Sequence, residues 1–561
     1  MDSDDPCLMR DPQKLQRIGK MSRKALMRFL LPCCALLVAC AGRPENRDPG
    51  PRPNILLLVA DDLGYSDLGC FGGEIHTPYL DSLARQGIRF SRFHTAPMCA
   101  PTRAMLLSGN DNHIAGVGRQ AAQANIFGYE GYLTERVATI PALLQRDGYS
   151  TMMAGKWHLG GFPEANPAAL GFDRSFVMLE GVGNHFNGRG IFGEGSESHY
   201  TEDGRPTKWP EGHFSTDFYT DKLLQYLEDN REEGRPFFAY AAYTAPHWPL
   251  QVSEEYWKKY EEVYKDGYEA LRSKRLESLV RAGLVPEGTP LPDLHPDIVP
   301  WDALPEAQRV VESRKMALYA GMVENLDRNI GRLIDYLRQS GQYENTLIIF
   351  MSDNGAAGED YYNEPGIRPY INPYFTDQAE LMGRPESFIS YGPPWAEAAT
   401  APFRYFKEYA TNGGTLAPLI VSAPWLAAPG TINEEFATVM DIAPTAYALS
   451  GTQYPDRWKG SKVYPLRGAS LLPLLRGEAE SAHPKDYIFA LEHAEFGMVR
   501  KGDWKITNTT RPLDRTQFEL YDLSRDLGEQ HDLKQQAPEK FAELLAAWDA
   551  YRREVRLQLS R

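Results

Sequence analysis

Asn54-Ile55-Leu56-Leu57-Leu58-Val59-Ala60-Asp61-Asp62-Leu63-Gly64 holds an unbroken apolar run, Ile55 to Ala60, that stops at two acids ahead of a glycine. A run of this length and character fits a strand buried on both faces. The acids fall where such a strand leaves the core. A helix pattern follows, with Thr77 as N-cap, Pro78 at the first helical position, apolar Leu80, Leu83 and Ala84, and Gly87 as the stop. The unit then recurs. Tyr149–Ala154 reads as a strand entering Gly155-Lys156-Trp157-His158. Phe237–Tyr243 enters Thr244-Ala245-Pro246-His247, and Thr346–Met351 enters Ser352-Asp353-Asn354-Gly355. Leu416–Val421 reads as a further strand. Strands alternating with helices make an α/β fold, here a large mixed, mainly parallel sheet flanked by helices. Ligands of such sheets bind outside the carboxyl ends of the strands. If these strands are parallel neighbours, their Asp, Lys and His side chains converge on one cleft. A polar residue after one strand is ordinary, because loops are polar; the same metal or base chemistry after four is harder to dismiss.

The chain has 561 residues. That is too long for one simple core and predicts a large domain with a smaller one. Hydrophobic content of 42% and charged content of 24% are those of a soluble globular protein. A net charge of -15 without a long basic run argues against nucleic acid as a partner. The acidic balance also gives no long-range attraction for an anion, so an anionic substrate must be captured by local cations and a metal. The cysteines Cys7, Cys33, Cys34, Cys40, Cys70 and Cys99 all lie in the first hundred residues, which excludes a disulfide framework.

From Met21 a basic start (Arg23, Lys24, Arg28) leads into apolar Phe29–Ala39, too short to span a bilayer as a mature helix and read as a signal peptide over 21–39. Residues 1–20 read as a mis-assigned start and 40–52 as a linker. The expected division beyond is a catalytic domain over 53–450 and a smaller C-terminal α+β subdomain, carrying an antiparallel sheet, over 451–561.

The segment Cys99-Ala100-Pro101-Thr102-Arg103-Ala104-Met105-Leu106-Leu107-Ser108-Gly109 carries the chemistry. Pro101 suits the first turn of a buried helix, so Cys99 sits near an N-terminus whose N–H groups favour an anion. A cysteine so placed is more often a small buried residue than a nucleophile. The spacing Cys-x-Pro-x-Arg, extended by Leu-Leu-Ser-Gly, resembles the signature of the type I sulfatases, formylglycine-dependent members of the alkaline phosphatase superfamily. The resemblance covers nearly all of the mature chain. Asp61-Asp62-Leu63-Gly64 and Asp353-Asn354-Gly355 match the family's two metal strands, Gly155-Lys156-Trp157-His158-Leu159-Gly160 its Lys/His motif and Pro246-His247 its later catalytic His. Phe403-Arg404-Tyr405-Phe406-Lys407, ahead of Gly413-Gly414, resembles the segment of a second sulfate-binding Lys. Glu519-Leu520-Tyr521-Asp522-Leu523 with Gly528-Glu529 resembles the C-terminal subdomain. Asn112-His113-Ile114-Ala115-Gly116 and the stretch from Ala270 to Leu276 resemble bacterial arylsulfatases in particular. One departure is Thr415-Leu416-Ala417-Pro418 in place of the more usual Ile-Arg-x-Pro, which removes a cation near the site.

Asp61, Asp62, Asp353 and Asn354 are a hard, oxygen-only ligand set, suited to Ca²⁺ or Mg²⁺ rather than Zn²⁺; the resemblance favours one Ca²⁺, with the residue made from Cys99 completing its site. It further implies that Cys99 becomes 3-oxoalanine (formylglycine) through a formylglycine-generating enzyme. One hydroxyl of its hydrate attacks sulfur and the other drives release of sulfate, so one hard step becomes two. By the same resemblance Arg103 holds the hydrate, Lys156 and Lys407 bind sulfate oxygens, His158 is the base for collapse and His247 donates the leaving group's proton. His76, His94 and His113 are expected to be structural, and Trp157 and Trp248 packing or pocket wall. Two rivals stand beside a small-molecule sulfate ester hydrolase. One is a phosphonate monoester hydrolase or phosphodiesterase of the same superfamily; the other is a lipoprotein that binds sulfated ligands without turnover. Leu37-Val38-Ala39-Cys40 resembles a bacterial lipoprotein signal, which implies an exported protein held by an acylated Cys40 at the outer membrane, in the periplasm or on the cell surface. The alternative is an ordinary cleaved signal peptide.

Overall fold

In the computed structural model, which describes residues 52–120 and 126–557, the opening apolar run is a strand with every residue buried. The signal-peptide segment, Cys40 and the linker up to residue 51 lie outside the described residues. The main sheet contains β1 (Asn54–Ala60), β2 (Gly87–Phe90), β3 (Ser150–Lys156), β4 (Arg174–Met178), β5 (Tyr200–Glu202), β6 (Arg205–Thr207), β7 (Phe237–Ala242), β8 (Thr346–Ser352), β9 (Leu419–Ser422) and β10 (Ile432–Asn433). Their spatial order is β10-β2-β9-β8-β1-β7-β3-β4-β5-β6. The four strands expected to end in chemistry, β8, β1, β7 and β3, are consecutive parallel neighbours. Their carboxyl ends therefore share one edge, as required for convergence.

The expected strand over Leu416–Val421 differs in start and sense. It begins at Leu419 and runs antiparallel to both β8 and β2. Its amino end, not its carboxyl end, meets the chemical edge, so the segment that enters it lies there too. That reversal is how residues from 404 to 418 reach the site.

Alternate residues of β1 feed two cores, as the twofold repeat of a strand requires. Leu56, Leu58 and Ala60 join the face covered by α1 (Pro78–Gln86), α3 (Ser215–Glu233), α4 (Gly267–Arg281) and α5 (Glu306–Gln339). Ile55, Leu57 and Val59 join the face of α2 (Cys99–Ser108) and α6 (Pro538–Glu554). Pro78 opens α1 as expected, but Thr77 makes no side-chain cap. Its hydroxyl instead accepts from the Gly69 N–H at 2.9 Å and donates to Asp81. The free N–H groups of Tyr79 and Leu80 donate to Asp327 of α5 at 3.2 and 2.8 Å, a cap from a distant part of the chain in place of the local one. After the main sheet, β11 (Ile488–His493), β12 (Phe496–Lys501), β13 (Trp504–Asn508) and β14 (Glu519–Asp522) form an antiparallel meander, with α6 packed on it. Among the described residues no helix is long and apolar enough to cross a membrane.

Candidate active site

Cys99 is the first residue of α2, a helix buried throughout that closes at Gly109, whose φ of 66° lets its N–H return to the Met105 carbonyl. The Cys99 thiol is 1% exposed, and burial raises its pKa. Its Sγ lies 3.4 Å from His158 Nδ1 and accepts from Gln120 Nε2 at 3.1 Å. One turn along α2, Arg103 reaches under the sheet edge. Its Nε and Nη2 donate to Asp353 Oδ2 at 3.0 and 2.7 Å, and its Nη1 to the Lys156 carbonyl at 3.2 Å.

The buried charges alternate in sign. Lys156 Nζ donates to both oxygens of Asp61, at 3.0 and 2.8 Å. Lys407 Nζ donates to Asp62 Oδ2 at 2.9 Å and lies 3.0 Å from Glu359 Oε1. Burying an unpaired charge costs several kcal/mol, and removal of one partner leaves the other stranded. Burial alone would raise the Asp62 carboxyl, but the Lys407 ammonium leads the groups that outweigh it and hold its pKa at about 2. Asp62 is therefore a carboxylate at any working pH. Burial pushes both His158 and His247 well below the usual imidazole range, with neighbouring lysines adding to the effect, so both rings are neutral. His247 Nδ1 lies 2.6 Å from the Trp248 carbonyl. A neutral ring must place its proton there, which leaves Nε2 as an acceptor facing Asp62 Oδ2 at 3.3 Å and Lys407 Nζ at 3.5 Å.

The backbone is bent to bring this about. Asp62 and His158 have φ of 64° and 59°, left-handed values uncommon for side-chain-bearing residues. Gly155, immediately before Lys156, has φ 124°, and a Cβ there would lie 1.8 Å from the Ala242 carbonyl oxygen. Only glycine lets β3 approach β7 so closely at the point where both deliver functional residues.

Asp61, Asp62 and His247 offer ligand atoms within 4.8 Å of one another, enough to share a metal ion. Asn354 donates from Nδ2 to Asp62 Oδ1 at 2.6 Å, while its Oδ1 is buried and has no partner. Asp353 is engaged twice, through Oδ2 by Arg103 and through Oδ1 by the Asp62 N–H at 3.2 Å. All the residues singled out from the sequence as catalytic or metal-binding thus meet in one place. Arg103 spends its donors on Asp353 and Lys156. Sequence reasoning misses Glu359 and Gln120, since a Glu in an acidic loop and a Gln after a glycine-rich turn carry no local signal. His76 is exposed, His94 contacts Thr415 at 3.4 Å, and His113 is buried between Asp111 and Glu492. Trp157 is a core residue donating to the Ala165 carbonyl. Trp248 is wall. Its ring lies 4.4 Å from His247 and 5.2 Å from Tyr361, and Phe192, 42% exposed, lies 6.3 to 6.4 Å from Tyr361 and Trp248.

Against known proteins, residues 53–452 match the family model described as Sulfatase. An uncharacterised sulfatase of Schizosaccharomyces pombe is 42% identical over 528 residues, covering 90% of this chain and 94% of the relative. An arylsulfatase of Klebsiella aerogenes is 38% identical over 427 residues, covering 75% and 91%. The crystal structure of Ps i-CgsB superposes with a TM-score of 0.63 at 24% identity, covering 89% of this chain and 92% of that one, a likeness of fold.

Proposed function

We propose, from the premise that this chain belongs to the sulfatase family of sulfuric ester hydrolases, that it cleaves aryl sulfate monoesters using a formylglycine made from Cys99 and one bound Ca²⁺. The observation that carries this reading is the placement of Cys99 at the head of α2, 3.4 Å from His158 and beside the alternating set Asp61–Lys156 and Asp62–Lys407. Support for the aryl preference is the wall of Trp248, Tyr361 and Phe192 beside His247, together with the name of the Klebsiella relative.

The donor set fits a hard divalent cation. Asp61, Asp62, Asp353 and Asn354 supply oxygen, and the buried Asn354 Oδ1 lacks any other partner. When bound, such a cation supplies Lewis-acid neutralisation of sulfate oxygens, and formylglycine supplies a hydrated aldehyde with two hydroxyls. The chain's own residues do the rest. Lys156 and Lys407 present ammonium groups that stay charged, because Asp61 and Asp62 outweigh the burial that would lower their pKa; these groups bind the sulfate oxygens. Arg103 ties Asp353 at the end of β8 to the Lys156 carbonyl at the end of β3. His158, neutral and against residue 99, is the group that takes a proton from it. His247 Nε2, an acceptor in the resting ring, is the nitrogen that must take up a proton before passing it to the leaving oxygen, with the ring held by the Trp248 carbonyl.

The cysteine is converted by a formylglycine-generating enzyme, which reads the Cys99–Arg103 segment before folding and export. The exported chain is then held at the outer membrane through an acylated Cys40. The deciding experiment is mass spectrometry of the peptide carrying residue 99 from active enzyme, with parallel assays on an aryl sulfate and an aryl phosphonate. An aldehyde at position 99 and faster sulfate turnover are expected. Full activity with an intact thiol, or a preference for the phosphonate, contradicts the reading.

A further inference from the structure

Lys407 does not sit on a strand or helix. It lies in a loop between Arg404 and Thr415 that is wound tightly on itself. Thr411 Oγ1 and the Gly413 N–H both donate to the Arg404 carbonyl. A Cβ at Gly413 would lie 2.0 Å from the Tyr405 carbonyl oxygen, and one at Gly414 would lie 2.0 Å from that of Tyr409. Two non-glycine residues flanking Lys407, Tyr405 and Glu408, have φ of 62° and 76°. Left-handed conformations at such residues persist only where the surroundings over-determine them.

Much of that surrounding is the C-terminal sheet. Arg404 Nη1 donates to the Tyr521 hydroxyl at 2.9 Å, the Glu529 carbonyl at 3.2 Å and Glu519 Oε2 at 3.3 Å. The Tyr409 ring stacks on Phe496 of β12, centroids 4.9 Å apart. Asn412 donates its N–H to Glu529 Oε2 and its Nδ2 to the Leu527 carbonyl. Its Oδ1 accepts from Lys505 Nζ of β13 at 3.1 Å. Lys505 and Glu529 are themselves a fully buried ion pair at 2.9 Å, and Thr507 Oγ1 completes Glu529 Oε1. The loop is therefore gripped before, beside and after Lys407 by residues between 496 and 529, whereas the charged cluster itself draws on residues 61 to 407.

We propose that the C-terminal sheet is a positioning device for Lys407, with the Glu529–Lys505 pair as its anchor. It holds the strained loop so that the ammonium group meets Asp62 and, in turn, a sulfate oxygen. Glu529, Lys505 and Arg404 are positioning residues acting through Lys407. The inference rests on the reading of Lys407 as a sulfate-binding group, and the test separates the two.

The test is a double-mutant cycle in the full chain carrying Cys99→Ala, which binds without turnover. Binding of 4-nitrophenyl sulfate in the presence of Ca²⁺ is measured by calorimetry for Glu529→Gln, Lys407→Ala and the double variant. Misplacing a binding group from a distance costs about ten- to a hundredfold. Glu529→Gln is expected to weaken binding about tenfold where Lys407 is present and to leave it unchanged where Lys407 is already removed. Equal weakening in both backgrounds, or none in a folded variant, overturns the positioning role. Lys407→Ala binding as tightly as its parent overturns the reading of Lys407 itself. If Glu529→Gln does not fold, Tyr521→Phe, which breaks the Arg404 contact at the sheet edge, takes its place in the cycle, and the same two outcomes overturn the positioning role.

Discussion

A second tie between the halves of the chain should be visible as a pH-dependent stability. His113 is buried, with Nε2 3.0 Å from Glu492 Oε2 of β11 and Nδ1 3.5 Å from Asp111. The Tyr551 hydroxyl of α6 donates to Asp111 at 3.0 Å, and Arg467 also acts on that carboxylate. Burial would lower the His113 pKa, but hydrogen bonds and charges from Asp111 and Glu492 outweigh it and raise it from 6.5 to about 9. A folded-state pKa above the unfolded one contributes stability that is complete below the unfolded value and is lost as pH rises through the folded value. The window is therefore from 6.5 to about 9. At about 1.36 kcal/mol per pH unit the amount is about 3 kcal/mol. The assay is urea unfolding of wild type and His113→Gln, followed by tryptophan fluorescence between about pH 6 and about pH 10. Other groups titrate in both proteins, so the difference between them is the quantity read. It should shrink by about 3 kcal/mol across the window, with wild type losing its advantage at the alkaline end. Parallel curves for the two proteins would refute a protonated His113 between two carboxylates.

Other outcomes follow from the site's geometry and, for Cys40, from the sequence alone. Asp62→Asn removes the carboxylate shared by Lys407, His247 and the proposed cation, and elemental analysis should find the metal lost together with turnover; a stoichiometric metal in that variant contradicts the assigned site. Gly155→Ala forces a Cβ against the Ala242 carbonyl at a φ of 124° and should cost about 4 kcal/mol or more, read as a collapse in soluble yield; a wild-type melting temperature would show that β3 and β7 can part. Cys40→Ala should move the protein from the membrane fraction to the soluble fraction, and unchanged fractionation would rule out the lipid anchor.

The fold is legible where the chain's chemistry is local. The run Ile55–Ala60 is apolar at both parities, so it has to be covered on two faces, and the helix patterns between the strands say that helical layers cover it. What stays hidden is sense and source. Nothing in Leu419–Ser422 distinguishes an antiparallel strand from a parallel one, because both present the same buried side chains; the direction is set by where the chain comes from, not by what it contains. The cap of α1 is hidden for a similar reason. Thr77 has the right chemistry in the right place, but a buried carboxylate at Asp327 fits those N–H groups better than a hydroxyl already engaged by Gly69 and Asp81.

The site divides along the same line. Cys99, Arg103, Lys156, His158, His247 and Asp353 stand in short motifs, and the resemblance of those motifs to the sulfatases marks them. Glu359 and Gln120 act only through neighbours brought by folding. Lys407 belongs to both groups: its motif marks it, yet the motif does not hold it. Its backbone is fixed by Glu529, Lys505 and Tyr521, residues far along the chain. A lone ammonium on a loop would sample many positions, and a sulfate oxygen needs one. The charged pair that supplies this constraint is buried, where removing one member is costly. Such a pair looks purely structural from its own surroundings. Its consequence for chemistry appears only when the loop it grips is followed from Asn412 and Arg404 back to the lysine.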